Sequence, residues 1–374
     1  MPHPRLRAWL SLAGLAIACS AGILLSSCSA KTPPHDPTSA AGALPHKPLF
    51  VLQESPDDPL GAFTLLLKWR DGYVLGDATR LQVRLYSTAG TRIAAIGRPG
   101  SGPGEFKTIE SLALSSDTTL LVFDNGLQRL STWDLVARRP LGAGVPVSAP
   151  YGANGLVPRQ DGVLLLRYLP SEKSSFEFVE IPTGRRRSAG GGAPPAIYQR
   201  SGRLASAFSG VMAGFLQDSL VLGWYLGHSL RLFGPDLTPG RWINVPRRVR
   251  RGVPPDLGTR GDQNDTPAIL RRTSILNRIG ALGDSQLGVV HFDATREVNS
   301  QGRTFGGTRE GWLTVLDRDG TPRCVDLLLV PKTEDIVRAH FLGGRLLMSR
   351  TRAEDGVTSV VEVAIPERCL GSQR

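Results

Sequence analysis

The 374-residue chain is poor in the groups that carry most protein chemistry, with 4 cysteines, 6 histidines and 3 methionines. No two cysteines stand as Cys-x-x-Cys, and no histidine joins them at zinc spacing, so no metal site is expected. There is no G-x-S-x-G elbow and no H-E-x-x-H pair, and Gly100–Gly104 lacks the following helix that a phosphate-binding loop requires. The motifs therefore nominate no catalytic residue and no cofactor. Lysine is scarce too: six of the 44 basic residues are lysine and the rest arginine, an imbalance that GC-rich coding explains. Aromatic residues make up 6%, and none is interleaved with basic residues in a nucleic-acid module, so no nucleic-acid partner is expected. The formal charge of +11 then favours acidic partners only in a general way. No amphipathic helix of useful length interrupts the chain.

One long apolar run is present, at the start. Arg5 and Arg7 precede Ala8 to Leu25, the order of a secretory signal. The run ends in Leu25-Ser26-Ser27-Cys28, which resembles the bacterial lipobox: a branched apolar residue, two small ones and a lipidated cysteine. The resemblance implies a signal peptide over residues 1–27, a lipid anchor on Cys28 and a place in the cell envelope. Cys19 has Ala16 three places before it and fits less well. Retention of the run as a transmembrane anchor is the alternative, since 18 residues at about 1.5 Å each nearly span a bilayer. Ser29, where an Asp would imply inner-membrane retention, implies the outer membrane. Residues 28–46 carry Pro, Ala, Ser and His without periodicity and read as a tether. Residues 47–374 hold no further linker and read as one domain.

Within that domain, apolar stretches flank small turns six times, at Asp71-Gly72, Ser116-Asp117, Asp161-Gly162, Asp218-Ser219, Asp284-Ser285 and Gly343-Gly344. A recurrence of this length with β-type punctuation marks a closed repeat such as a propeller. The first repeat parses into Phe63–Trp69, Tyr73–Gly76, Leu81–Tyr86 and Thr91–Gly97. Leu81, Val83 and Leu85 alternate there with Gln82, Arg84 and Tyr86, the pattern of a half-buried strand. The second repeat parses into Ser111–Leu114, Leu120–Phe123, Leu130–Trp133 and Pro140–Val145. Two strands are legible in each later repeat: Val163–Tyr168 and Phe176–Ile181, Ser219–Trp224 and Leu230–Phe233, Gln286–Phe292 and Trp312–Asp317, Arg345–Ser349 and Ser359–Ile365. The sixth repeat ends after its third strand, while Pro48–Leu52 stands alone before the first. A ring closes if that segment supplies the missing outer strand; a lone edge strand is the alternative.

Between the first two repeats stands Gly97-Arg98-Pro99-Gly100-Ser101-Gly102-Pro103-Gly104-Glu105-Phe106, followed by Asp124-Asn125 and Gln128-Arg129-Leu130. These residues resemble the NHL repeat, whose blades join through a G-x-G-P-G-E-F-like segment and carry an Asp-Asn turn before an Arg-bearing strand. Asp77, Arg80 and Leu81 echo that turn one blade earlier. The resemblance implies an all-β, six-bladed β-propeller. The family hosts recognition domains, lyases and scaffolds, so the fold leaves function open.

Two polar, Arg-rich insertions are expected on the face that carries the b-to-c loops and the blade crossovers: Arg247 to Arg272 and Asp293 to Gly311. Arg250, Arg251, Arg260, Arg296, Arg303 and Arg309 would suit carboxylate, phosphate or other acidic groups through forked hydrogen bonds, making this the expected partner surface. Asp262, Asn264 and Asp265 lack the spacing of a calcium loop. Cys324 and Cys369 remain after signal removal, either as a disulfide or as two buried thiols. The expectation is a non-catalytic envelope module that binds a protein or glycan. The rival is a metal-dependent hydrolase or lyase in the central channel, drawing on His228, His291 and His340, with Glu110, Glu334 and Asp335 near the mouth.

Overall fold

The computed structural model describes residues 42–371, apart from 55–56, 62, 150–152, 170, 182, 193, 201–203, 205–207, 258–265, 284, 296, 299–303 and 306. The signal run, Cys28, Asp284, Arg260, Arg296, Arg303 and the Asp262–Asp265 stretch lie outside the described residues. What is described is a six-bladed β-propeller. Six antiparallel sheets of four main strands follow one another along the chain. Their inner strands touch in ring order: Phe63–Trp69, Ile109–Leu114, Gly155–Arg159, Val211–Leu216, Ser274–Leu282, Ile336–Leu342, then Phe63–Trp69 again.

The ring closes through the chain's own beginning. His46–Val51 pairs antiparallel with Thr358–Val363 and forms the outer strand of the sixth blade, so no edge is left open there. Residues 42–46 had read as tether, yet Leu44 is buried and its N–H bonds to the Leu328 carbonyl. The other end is fixed beside it: Cys324, in the outer strand of blade five, forms a disulfide with Cys369 in the short helix Glu367–Leu370.

The core is six separate apolar clusters, one at each junction between neighbouring blades. Alternate side chains of a strand point to opposite faces, so each middle strand feeds two clusters. In blade two, Leu120 and Val122 pack towards blade one while Leu121 and Phe123 pack towards blade three. Such strands are buried on both faces, and they read as continuous apolar runs.

That arrangement corrects the half-buried reading of the third strand in blade one. Val83 and Leu85 pack on blade two, but Arg84 and Tyr86 on the other face are equally buried. Arg84 pairs with Glu54, with Asp58 at 2.9 Å and with Asp77 at 2.9 Å, and Tyr86 donates its hydroxyl hydrogen to Glu54. A polar stripe here means a buried ion cluster between blades six and one rather than a solvated surface.

One further difference has a local cause. In blade two the expected strand Pro140–Val145 splits into Arg139–Pro140 and Val145–Pro146, both pairing with Arg129–Asp134. Gly142 and Gly144 between them adopt positive φ, which breaks the extended run. At the glycine-rich junction, Gly97 also has positive φ, and a Cβ there would lie 2.3 Å from the Phe106 ring. The Glu105 carboxylate ties the turn together by accepting from the Gly102 N–H at 2.7 Å and from Arg98 Nε at 2.9 Å.

Candidate functional site

The start of each inner strand and the end of its neighbour lie on the face that carries the insertions, opposite the tight turns at Asp71, Asp117, Asp161 and Asp218. The first insertion contributes the helix Thr266–Arg272, whose Ile269 and Leu270 are buried against blades three and four. The second contributes a small hairpin, Glu297–Val298 with Thr304–Phe305. Between them a cavity of about 380 Å³ opens, walled by Phe208, Ile275 and Phe292 and by the polar Thr295, Thr308 and Arg309. Tyr225 and Asn277 also line it, and both belong as well to the next cavity inward. The mouth therefore continues into the central channel.

The channel cavity has a volume of about 340 Å³ and draws one residue or more from nearly every inner strand. Phe63, Glu110 and Met212 line it together with Asn154, Arg278 and Arg338. Arg338 lies over the Phe63 ring at 4.9 Å, and Arg278 points an Nη at the Met212 sulfur, 3.5 Å away. Neither guanidinium has a carboxylate partner among the described residues. Burial, and then the charges of Arg309 and Arg278, pull Arg338 down to about 10. Burial lowers Arg278 as well. Burial pushes Glu110 above its ordinary value, and its Oε2 has no hydrogen-bond partner among the described residues; neither has Asn277 Oδ1.

The arginines expected to form the partner surface separate on inspection. Arg250 is a correction: it is 1% exposed and structural. Its Nε donates to Asp326 at 2.9 Å, its Nη2 donates to the carbonyls of Val245 and Pro246, and its Nη1 contacts His228 Nδ1. The second Asp326 oxygen accepts the backbone N–H groups of Arg248, Val249 and Arg250, so this pair pins the base of the first insertion to blade five. Arg251 is one-third exposed and ties the two insertions, donating to the Leu270 and Ala294 carbonyls near Asp293. Arg309 stands at the cavity mouth.

The histidines do not meet at one point. His228 and His291 stack at 5.5 Å between blades four and five. His340 is buried between blades six and one, where Nδ1 accepts from the Leu66 N–H and Nε2 bonds to Ser349. Burial holds all three below their ordinary value, His228 at about 3. Asp335 is likewise occupied, with Arg350 and the Ala353 N–H. Among the described residues no three His, Cys, Asp or Glu side chains gather as a metal set. Arg278, Arg338 and Asn277 carried no sequence signal. Only ring closure shows that the polar positions of the inner strands share one channel.

No family model and no curated protein matches the chain. Solved structures do. A member of the DUF4221 family from Bacteroides vulgatus superposes with a TM-score of 0.57 at 13% identity, covering 86% of this chain and 96% of that one. A protein from Bacteroides fragilis described as exported gives 0.57 at 10% identity, covering 87% and 95%. At such identities the likeness is one of fold, and it is the same propeller.

Proposed function

We propose that this chain is a cell-envelope lipoprotein, anchored through lipid on Cys28, whose propeller binds a protein or glycan partner without catalysis. The observation that carries the binding reading is the mouth cavity. Both insertions flank it, apolar and hydrogen-bonding side chains both line it, and the propeller beneath is braced by buried ion pairs. Loops on a rigid scaffold are where binding surfaces concentrate. Export rests on the Arg5–Cys28 segment and fits the fold neighbour described as exported; the outer-membrane address rests on Ser29 alone. No helix among the described residues is long and apolar enough to cross a membrane.

Two measurements test this. Cys28→Ser should abolish labelling by a fatty-acid analogue and release the protein from sedimented membranes; unchanged labelling removes the anchor. A photo-crosslinking residue at Thr295 or Thr308 should trap a partner in intact cells, whereas one at Asp117 or Asp218 on the opposite face should not. Equal capture from both faces, or none from the mouth, would sink the assigned binding face. Glycosidase treatment of the trapped product then separates glycan from protein.

A further inference from the structure

The channel arginines are placed as a ligand would need them and not as the fold needs them. Elsewhere, each buried arginine that spans blades or strands is matched to acid: Arg84 to Glu54, Asp58 and Asp77, Arg167 to Glu177 at 2.7 Å, Arg250 to Asp326. Arg278 and Arg338 sit on adjacent inner strands, line one cavity, and meet no carboxylate among the described residues. Glu110 also lines the cavity, but it forms no ion pair with either guanidinium and burial favours its neutral form. Two like charges drawn out of bulk water without a paired acid are unfavourable, and an anion between them removes that cost. We propose that the central channel binds a small oxyanion, a carboxylate or a phosphate, held by the Arg278 and Arg338 guanidinium groups and entering through the mouth between the insertions.

The surroundings fit such a ligand. Guanidinium presents a planar fork of donors that matches both oxyanions bidentately. Arg309 at the mouth adds positive potential along the entry path, consistent with its effect on Arg338. Asn154 and Asn277 supply amide donors and acceptors, and Phe63 and Met212 an apolar wall, for the rest of the molecule. A cavity of about 340 Å³ lies at the small end of the usual range for ligand sites, so a metabolite-sized acid fits better than a polymer. This site is separate from partner docking at the mouth, and either can fail without the other.

The test uses the full chain in detergent, titrated with succinate, inorganic phosphate or sodium chloride at matched ionic strength, with thermal unfolding as the readout. The melting temperature is expected to rise saturably with succinate, phosphate or both, and not with chloride. Response to succinate alone assigns a carboxylate, and to phosphate alone a phosphate. Arg278→Gln with Arg338→Gln should abolish the saturable rise. Arg338→Lys, which keeps the charge and loses the fork, should raise the apparent dissociation constant roughly tenfold or more. Arg241→Gln removes a surface charge on the outer strand of blade four and should leave the response intact. An equal rise in the channel variants, or no saturable response to either anion in the unaltered protein, overturns the proposal.

Discussion

Two sets of arginines divide this propeller. Arg84, Arg167 and Arg250 lie in the sheet-to-sheet junctions, 0–3% exposed in their side chains, each against a carboxylate that is itself wholly or largely buried. Arg278 and Arg338 lie on the axis, half-buried, against a sulfur atom and an aromatic ring. The first set holds neighbouring elements in register. The second is held by the elements and faces a space. Residue type is the same; what differs is whether the fold supplies the counter-charge. Propeller geometry makes that distinction possible, because the inner strands have one edge that meets no further strand and lines a channel instead.

The largest effects should come from the junction set. Arg84→Met leaves the fully buried Asp77 without its cation, while Glu54 and Asp58 keep Arg92. Removing one member of a buried ion pair typically costs about 3–5 kcal/mol. Urea unfolding of Arg84→Met and Arg250→Met should show unfolding free energies lowered by that order, with correspondingly lower midpoints. If Arg250→Met unfolds with unchanged midpoint, the insertion base is not pinned through Asp326 and the division between the two sets fails.

An intermediate effect should appear on acidification. His228, His291 and His340 are held neutral, by burial first, then by Arg250 for the first two and by Arg278 and Arg338 for His340. The unfolded chain protonates its histidines near pH 6.5, so below that pH it binds more protons than the folded chain, and stability falls as pH falls. Each such histidine contributes at most about 1.4 kcal/mol per pH unit below 6.5. Three together should cost about 2–4 kcal/mol between pH 6.5 and 5.5, read as a falling urea midpoint. In Arg278→Gln with Arg338→Gln the slope should change little over this range, because burial, the larger cause, remains and keeps His340 neutral. A flat profile over this range would mean the histidines are hydrated rather than enclosed.

The same contrast explains what was legible beforehand. Turn residues, the glycine junction and the orphan strand before the first repeat expose blade number and closure, because hairpin chemistry is local and an unpaired edge is costly. The inner and outer strands of blades three to five escaped notice. Val211–Leu216 contains Gly214, and Pro239–Asn244 is mostly exposed, so neither carries a clean alternation. Charge was the harder matter. Arg84 reads as a solvent-facing position in an alternating strand, and Arg250 reads as part of a basic loop, yet each meets a carboxylate far off in sequence, 26 residues away at Asp58 and 76 at Asp326. Arg278 and Arg338 sit in strands whose polar positions look like an exposed face until six inner strands are set around one axis.

The smallest effect should be the most telling. Arg278→Gln and Arg338→Gln remove charges that repel one another and satisfy no acid, so no buried carboxylate is stranded by the change. Glutamine keeps an amide that can hydrogen-bond with water in the channel. Unfolding free energies should therefore stay within about 1 kcal/mol of the parent, with the double variant equal or slightly higher, as is usual for substitutions outside a packed network. A loss comparable to that of Arg84→Met would mean that these arginines brace the inner strands after all. Charge on the axis would then be structural, and the channel would lose its claim to a ligand.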